Sequence, residues 1–143
     1  MFLLDTDHVS LLQQDTAPER ATLLRRMQEH TPDAFFVSII SFQEQAAGWN
    51  AYLNRAKTTV SVIRAYQMFE LILRDFSSTQ TAPFDDAAAE VFADLRKQRV
   101  RIGTLDLRIA SIAVAKQLTV LTRNLVDFKQ VPGLDVEDWT QPD

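Results

Sequence analysis

Short apolar runs of β type alternate with stretches of helical periodicity, and this alternation limits the possible folds more than any other feature of the chain. Phe2-Leu3-Leu4 ends at Asp5, Phe35 to Ile40 forms a second run, and Leu118 to Thr122 forms another. Leu134 to Val136 can add an edge strand, and the turn-like segment Ser77 to Pro83 has room for one short strand. Pro18, behind Asp15 and Thr16, opens a helix to about His30. Ser41-Phe42-Gln43-Glu44 spells a capping box, followed by Phe42, Ala46, Trp49 and Leu53 at helical spacing. A long helix is expected from about Arg55 to Phe76. Asp85 or Asp86 caps another helix, carried by Ala88, Val91, Phe92 and Leu95, and Thr104 caps a further one with Leu105, Ile109, Ile112 and Ala113 facing inward. Together these segments predict an α/β fold: a central parallel sheet of four to five strands, flanked by helices, in one domain over residues 1–143. Sheets of this kind place their sites at the carboxyl ends of the strands.

Composition narrows the class of function. Apolar residues make up 46% and charged residues 24%, the balance of a globular chain with a core. With no cysteine, disulfides and zinc-thiolate sites are excluded. The first ten residues carry no basic region and meet an acid at position 5, unlike a signal peptide, and no apolar run is long enough to span a bilayer. A cytoplasmic protein with no membrane partner is expected. The net charge of −4 argues against a non-specific nucleic-acid binder, unless several acids converge on a cation.

Four acids stand where such a sheet would gather them. Asp5 follows the first strand and can also cap a helix beginning near Thr6. Glu44 falls at the N3 position of the capping box. Asp106 lies in the first turn of its helix, where an acid offsets the dipole. Asp127 follows the Leu118–Thr122 strand, where it can also cap a short turn. Each alone has an ordinary structural reading. Jointly, four carboxylates at one end of a sheet repel one another, and a hard divalent cation with oxygen ligands relieves that repulsion. A site of this type can hydrolyse phosphodiesters.

These segments resemble a known family. Leu3-Leu4-Asp5-Thr6-Asp7 is similar to the opening of PIN domains, and Val37 to Glu44 with Gly48 resembles the segment of the second acid. Ile102-Gly103-Thr104-Leu105-Asp106-Leu107-Arg108 to Ala113 resembles the segment of the third. Leu121-Thr122-Arg123-Asn124, Asp127-Phe128 and Val131-Pro132-Gly133-Leu134 resemble the closing segment. The order is the family's, and the segments span nearly the whole chain. The resemblance, nearest to VapC-type toxins, implies a PIN-like three-layer fold, Mg²⁺ or Mn²⁺ as cofactor and RNA as substrate. It also implies a cognate antitoxin as partner and a homodimer. Asp5, Glu44, Asp106 and Asp127 would inherit the catalytic and metal-binding roles. Gln45 stands where many relatives have Leu, a difference expected to affect packing. Asp7, where Asn is common, either orients a ligand or caps the first helix.

Thr122 can hydrogen-bond within the site, and Arg108 and Arg123, beside site segments, can hold phosphate. Arg96, Lys97, Arg99 and Arg101 form a basic run read first as a solvated helix end and second as a phosphate contact. His8 and His30 are not required, and Trp49 and Trp139 read as packing anchors. Two alternatives stay open. Asp5-Thr6-Asp7 also resembles the nucleophile and acid pair of haloacid-dehalogenase-type phosphatases, and a PIN-like binding module without catalysis is the other.

Overall fold

The structure, a computed structural model, describes residues 1–14 and 16–142, so Asp15 of the expected helix start lies outside the described residues. Five strands, β1 (Phe2–Leu4), β2 (Phe35–Ser38), β3 (Gln80–Ala82), β4 (Thr119–Leu121) and β5 (Val136–Glu137), pair in parallel in the order β3-β2-β1-β4-β5. Around them lie α1 (Thr6–Leu12), α2 (Pro18–Met27), α3 (Ile39–Arg55), α4 (Thr59–Ser77), α5 (Asp86–Lys97), α6 (Thr104–Lys116) and α7 (Leu125–Phe128). The central strand is therefore the N-terminal one. Phe2 sits opposite Phe35 on one side and Thr119 on the other.

Side chains on a strand alternate between the faces of the sheet, and here that alternation divides the core in two. Leu3 and Val120 join Leu107, Ile109 and Ile112 of α6 and Leu95 of α5 on one face. Leu4, Phe35, Val37 and Leu121 join Val9 and Leu11 of α1, Leu23 of α2 and Trp139 on the other. Two apolar faces, each covered by helices, make the predicted three layers. Trp139 packs as an anchor, 4.6 Å from the ring of Phe2 and 5.4 Å from that of His30, and Arg26 lies over it at 5.0 Å.

Several helix starts differ from expectation. Ile39 and Ile40 belong to α3 rather than to the second strand. Ser38 is the N-cap, its Oγ accepting from the Ser41 N–H at 3.0 Å. The capping box at Ser41 is therefore not formed, and Glu44 lies inside the helix. Two serines three residues apart offered the same cap, and the earlier one, at the end of β2, satisfies a backbone donor in the first turn of α3. Gly103, not Thr104, occupies the N-cap position of α6, with no side-chain cap. Asp85 caps α5 as predicted, accepting from Ala88 N–H at 3.1 Å. Gln45 is buried in a reciprocal amide pair with Gln13, at 2.8 and 3.1 Å, so its polarity is satisfied.

The long helix α4 buries Ala65 and Ile72 but leaves Val60, Ile63, Tyr66 and Leu73 more than half exposed. Its second apolar face is thus not covered by the chain itself. Among the described residues no helix is long and apolar enough to cross a membrane.

Candidate active site

Asp5 leaves the carboxyl end of β1 and caps α1. Its backbone N–H still donates to Leu121 O at 2.9 Å, which ties the start of α1 to the end of β4. Both carboxylate oxygens are held: Oδ1 accepts from Thr6 N–H and Oδ2 from the Thr122 hydroxyl, each at 2.8 Å. Glu44 reaches the same place from the second turn of α3, and Asp106 from the first turn of α6. One carboxylate oxygen from each of Asp5, Glu44 and Asp106 lies within 4.8 Å of the others. Three elements separated in sequence thus deliver three acids to one point at the carboxyl end of the sheet.

Neutral donors hold this constellation. The Thr6 hydroxyl lies 2.9 Å from Ser41 Oγ and donates to Glu44 Oε1 at 3.0 Å, joining α1 to α3. The Asn124 amide donates to Asp127 Oδ2 at 2.9 Å and lies 3.5 Å from Asp106 Oδ2. Asp127 is therefore linked to the cluster through Asn124 rather than being part of it. Asp7 accepts from the His8 ring at 2.8 Å and from Arg123 N–H at 2.9 Å, and Thr122 lies 3.3 Å away. Arg123 contributes its backbone, its side chain being exposed. Arg108 lies with its guanidinium 5.9 Å from the ring of Phe92, facing α5.

Crowding is written in the protonation of these groups. Burial, then the charge of Asp7, pushes the Asp5 carboxyl up to about 7. Glu44 is also raised, by burial and then by Asp106 and Asp7. Asp106 is raised by burial, then by Asp127 and Asp7. Burial pulls Asp7 in the same direction, but hydrogen bonds from His8 and Arg123 outweigh it and hold this acid below its ordinary value. An all-carboxylate cluster in which three acids resist ionisation suits a hard cation, whose charge removes the cause of the resistance.

No protein-family model matches the chain. Among curated proteins it is 46% identical to Ribonuclease VapC1 of Rickettsia felis over 48 residues, 34% of this chain and 36% of that protein. It is 33% identical to the tRNA(fMet)-specific endonuclease VapC of Salmonella typhimurium over 67 residues, 44% of this chain and 51% of that protein. The matches thus span about a third to a half of the relatives' lengths. A chain in the solved structure of a toxin–antitoxin complex from Klebsiella pneumoniae superposes with a TM-score of 0.69 at 21% identity, over 97% of this chain and 98% of that one. The fold is PIN-like. The sequence likeness is to VapC ribonucleases.

Within this PIN-like chain, the acids read from sequence divide three to one: Asp5, Glu44 and Asp106 converge, and Asp127 stands behind Asn124. Sequence reasoning passed over Thr6, Ser41 and Asn124 as site residues. Each is uncharged, and the only signal was its place next to an acid segment. The Asp5-x-Asp7 phosphatase reading is not favoured. Asp7 is tied to the backbone at Arg123 and to His8, and the relatives are ribonucleases.

Proposed function

We propose that this PIN-like chain is a single-domain, cytoplasmic endoribonuclease that depends on Mg²⁺ or Mn²⁺ and acts as the toxin of a toxin–antitoxin pair. The observation that carries the reading is the meeting of Asp5, Glu44 and Asp106 within 4.8 Å at the carboxyl end of a parallel sheet. The names of the curated relatives, one a ribonuclease and one a tRNA endonuclease, support RNA as the substrate. The toxin–antitoxin complex of the structural neighbour supports an antitoxin partner.

In this reading Asp5, Glu44 and Asp106 hold the cation. It would supply positive charge against the charge that develops as a phosphodiester is hydrolysed. Thr122 and the Thr6 N–H fix both oxygens of Asp5, and the Thr6 hydroxyl orients Glu44. Asn124 couples Asp127 to Asp106, so that Asp127 positions rather than binds, with Asp7 bracing Thr122 from the other side. Arg123, exposed beside Asp7, can reach a phosphate there, whereas Arg108 faces Phe92 of α5. Titration of the purified chain with Mn²⁺, followed by RNA cleavage with and without EDTA, tests the reading. Saturable Mn²⁺ binding lost in Asp106→Asn, with cleavage abolished by EDTA, is expected. Cleavage that persists in EDTA would overturn it.

A homodimer belongs to the same proposal. Val60, Ile63, Tyr66 and Leu73 line an uncovered face of α4, and apolar faces of that kind are commonly closed by a second copy.

A further inference from the structure

The basic run at the end of α5 remains outside the acid site, and its surroundings are distinctive. Arg99 adopts φ +61°, a left-handed conformation that most side chains avoid. The Val100 N–H returns to Leu95 O at 3.1 Å, closing α5 with a reversal usually made by glycine. That reversal brings Arg96, Arg99 and Arg101 around one open cavity of about 700 Å³, whose wall also contains Thr104 and Asp127. The Arg96 guanidinium lies 5.7 Å from the centre of the Phe92 ring, one turn back on α5. Among the described residues none of these three arginines makes a salt bridge, and all three are exposed. In a chain of net charge −4, three unpaired guanidiniums on one cavity are a local reversal of sign. Asp127, on the cavity wall, is joined through Asn124 to Asp106. One wall of the basic cavity is therefore linked to the acid cluster through Asn124.

We propose that this cavity is a phosphate cradle, in which Arg96, Arg99 and Arg101 hold the RNA backbone next to the phosphodiester presented to Asp5, Glu44 and Asp106. Guanidinium groups match phosphate oxygens in geometry and remain charged at any relevant pH. The acids repel a polyanion, and a neighbouring group of cations supplies the attraction that holds it over them. The cradle rests on the nuclease reading for its substrate, but its binding role is separable from the chemistry.

The test is fluorescence anisotropy of an end-labelled single-stranded RNA with the metal-free protein in EDTA, across a salt series. Wild type is expected to bind with a steep salt dependence. Replacing all three arginines by glutamine should weaken binding about tenfold or more at low salt and reduce the slope of log K against log salt by about 2, at roughly 0.7 per lost phosphate contact on single strands. The single variant Arg99→Gly guards against misfolding, since glycine suits the left-handed turn. It should melt no lower than wild type yet bind RNA more weakly. In cleavage assays the variants should raise KM more than they lower kcat.

Equal affinity and slope in wild type and the triple variant overturns the cradle, as does a wild type that binds no RNA. Variants that keep RNA affinity but lose an acidic protein partner overturn it as well, and would assign the cavity to that partner. A wild type that binds RNA through these arginines but never cleaves it with Mn²⁺ leaves the cradle standing and removes the nuclease reading instead.

Discussion

The hydroxyl of Thr122, at the end of β4, donates to Oδ2 of Asp5, at the end of β1, across 2.8 Å of buried space. With the Thr6 N–H it keeps a crowded carboxyl from rising further, since burial and Asp7 both push Asp5 upward. Thr122→Val keeps the shape and removes the donor. We expect the acid limb of the activity–pH profile to move to higher pH, with weaker Mn²⁺ binding and a stability loss of about 1–2 kcal/mol. A pH profile unchanged from wild type would show that the contact does not tune Asp5.

The metal-free protein should lose stability as pH rises. Asp5 goes from 3.8 unfolded to about 7 folded, so between those values the folded state binds more protons than the unfolded one. Its contribution is thus most favourable below the unfolded value and declines until pH passes the folded one. The full shift amounts to at most about 4 kcal/mol. Raised Glu44 and Asp106 act in the same direction, while lowered Asp7 acts oppositely, contributing stability that is lost only in acid. Thermal melts in EDTA should give a lower Tm near about pH 8 than near about pH 5. Asp5→Asn should flatten the difference, and Mn²⁺ should restore Tm at the higher pH.

Glu44→Gln has a clearer meaning than its place in the sequence suggests. Because Ser38 caps α3, Glu44 has no capping duty that glutamine could take over. Loss of most turnover is expected, together with an unchanged fold by circular dichroism. Near-normal turnover would remove Glu44 from the site.

Asp106 and Asp127 should separate. Asp106→Asn alters a member of the close cluster and should abolish divalent-dependent cleavage. Asp127→Asn and Asn124→Ala act through the bridge between these acids and should each reduce activity about 10–100-fold, the range usual for groups behind a ligand. Equal losses at both acids would place Asp127 in direct contact with the cation.

Light scattering tests assembly. A mass near 16.3 kDa at micromolar concentration would defeat the dimer. If a dimer forms, charged residues at Tyr66 and Leu73 should split it without unfolding, since both are exposed within one chain.

Much of this architecture was legible in the residues. Leu3 and Leu4 are both apolar because they face opposite layers, and that is why β1 reads as a buried strand. The start of α3 was not legible. Ile39 and Ile40 continue an apolar run without any period, and Ser38 and Ser41 are equally good caps until the end of β2 decides between them. The edge strand β3, Gln80-Thr81-Ala82, carries little apolar signal because its first two residues are exposed. In the site, the acids were visible by charge and by position after strands, whereas Asn124 and Thr6 were not. Their role is a hydrogen bond set by tertiary distance, which no spacing rule records.

The sheet order has a consequence for when the site can exist. β1 is completed only by β4, which comes far later in the chain, and Phe2 waits for Thr119. Asp5 likewise waits for Thr122 to fix its Oδ2 and for Asp106 to join it in the cluster. During synthesis, at about 5–20 residues per second, the nascent chain therefore carries Asp5 for several seconds with no site around it. Assembly of the acid centre is a late event, coincident with closure of the sheet.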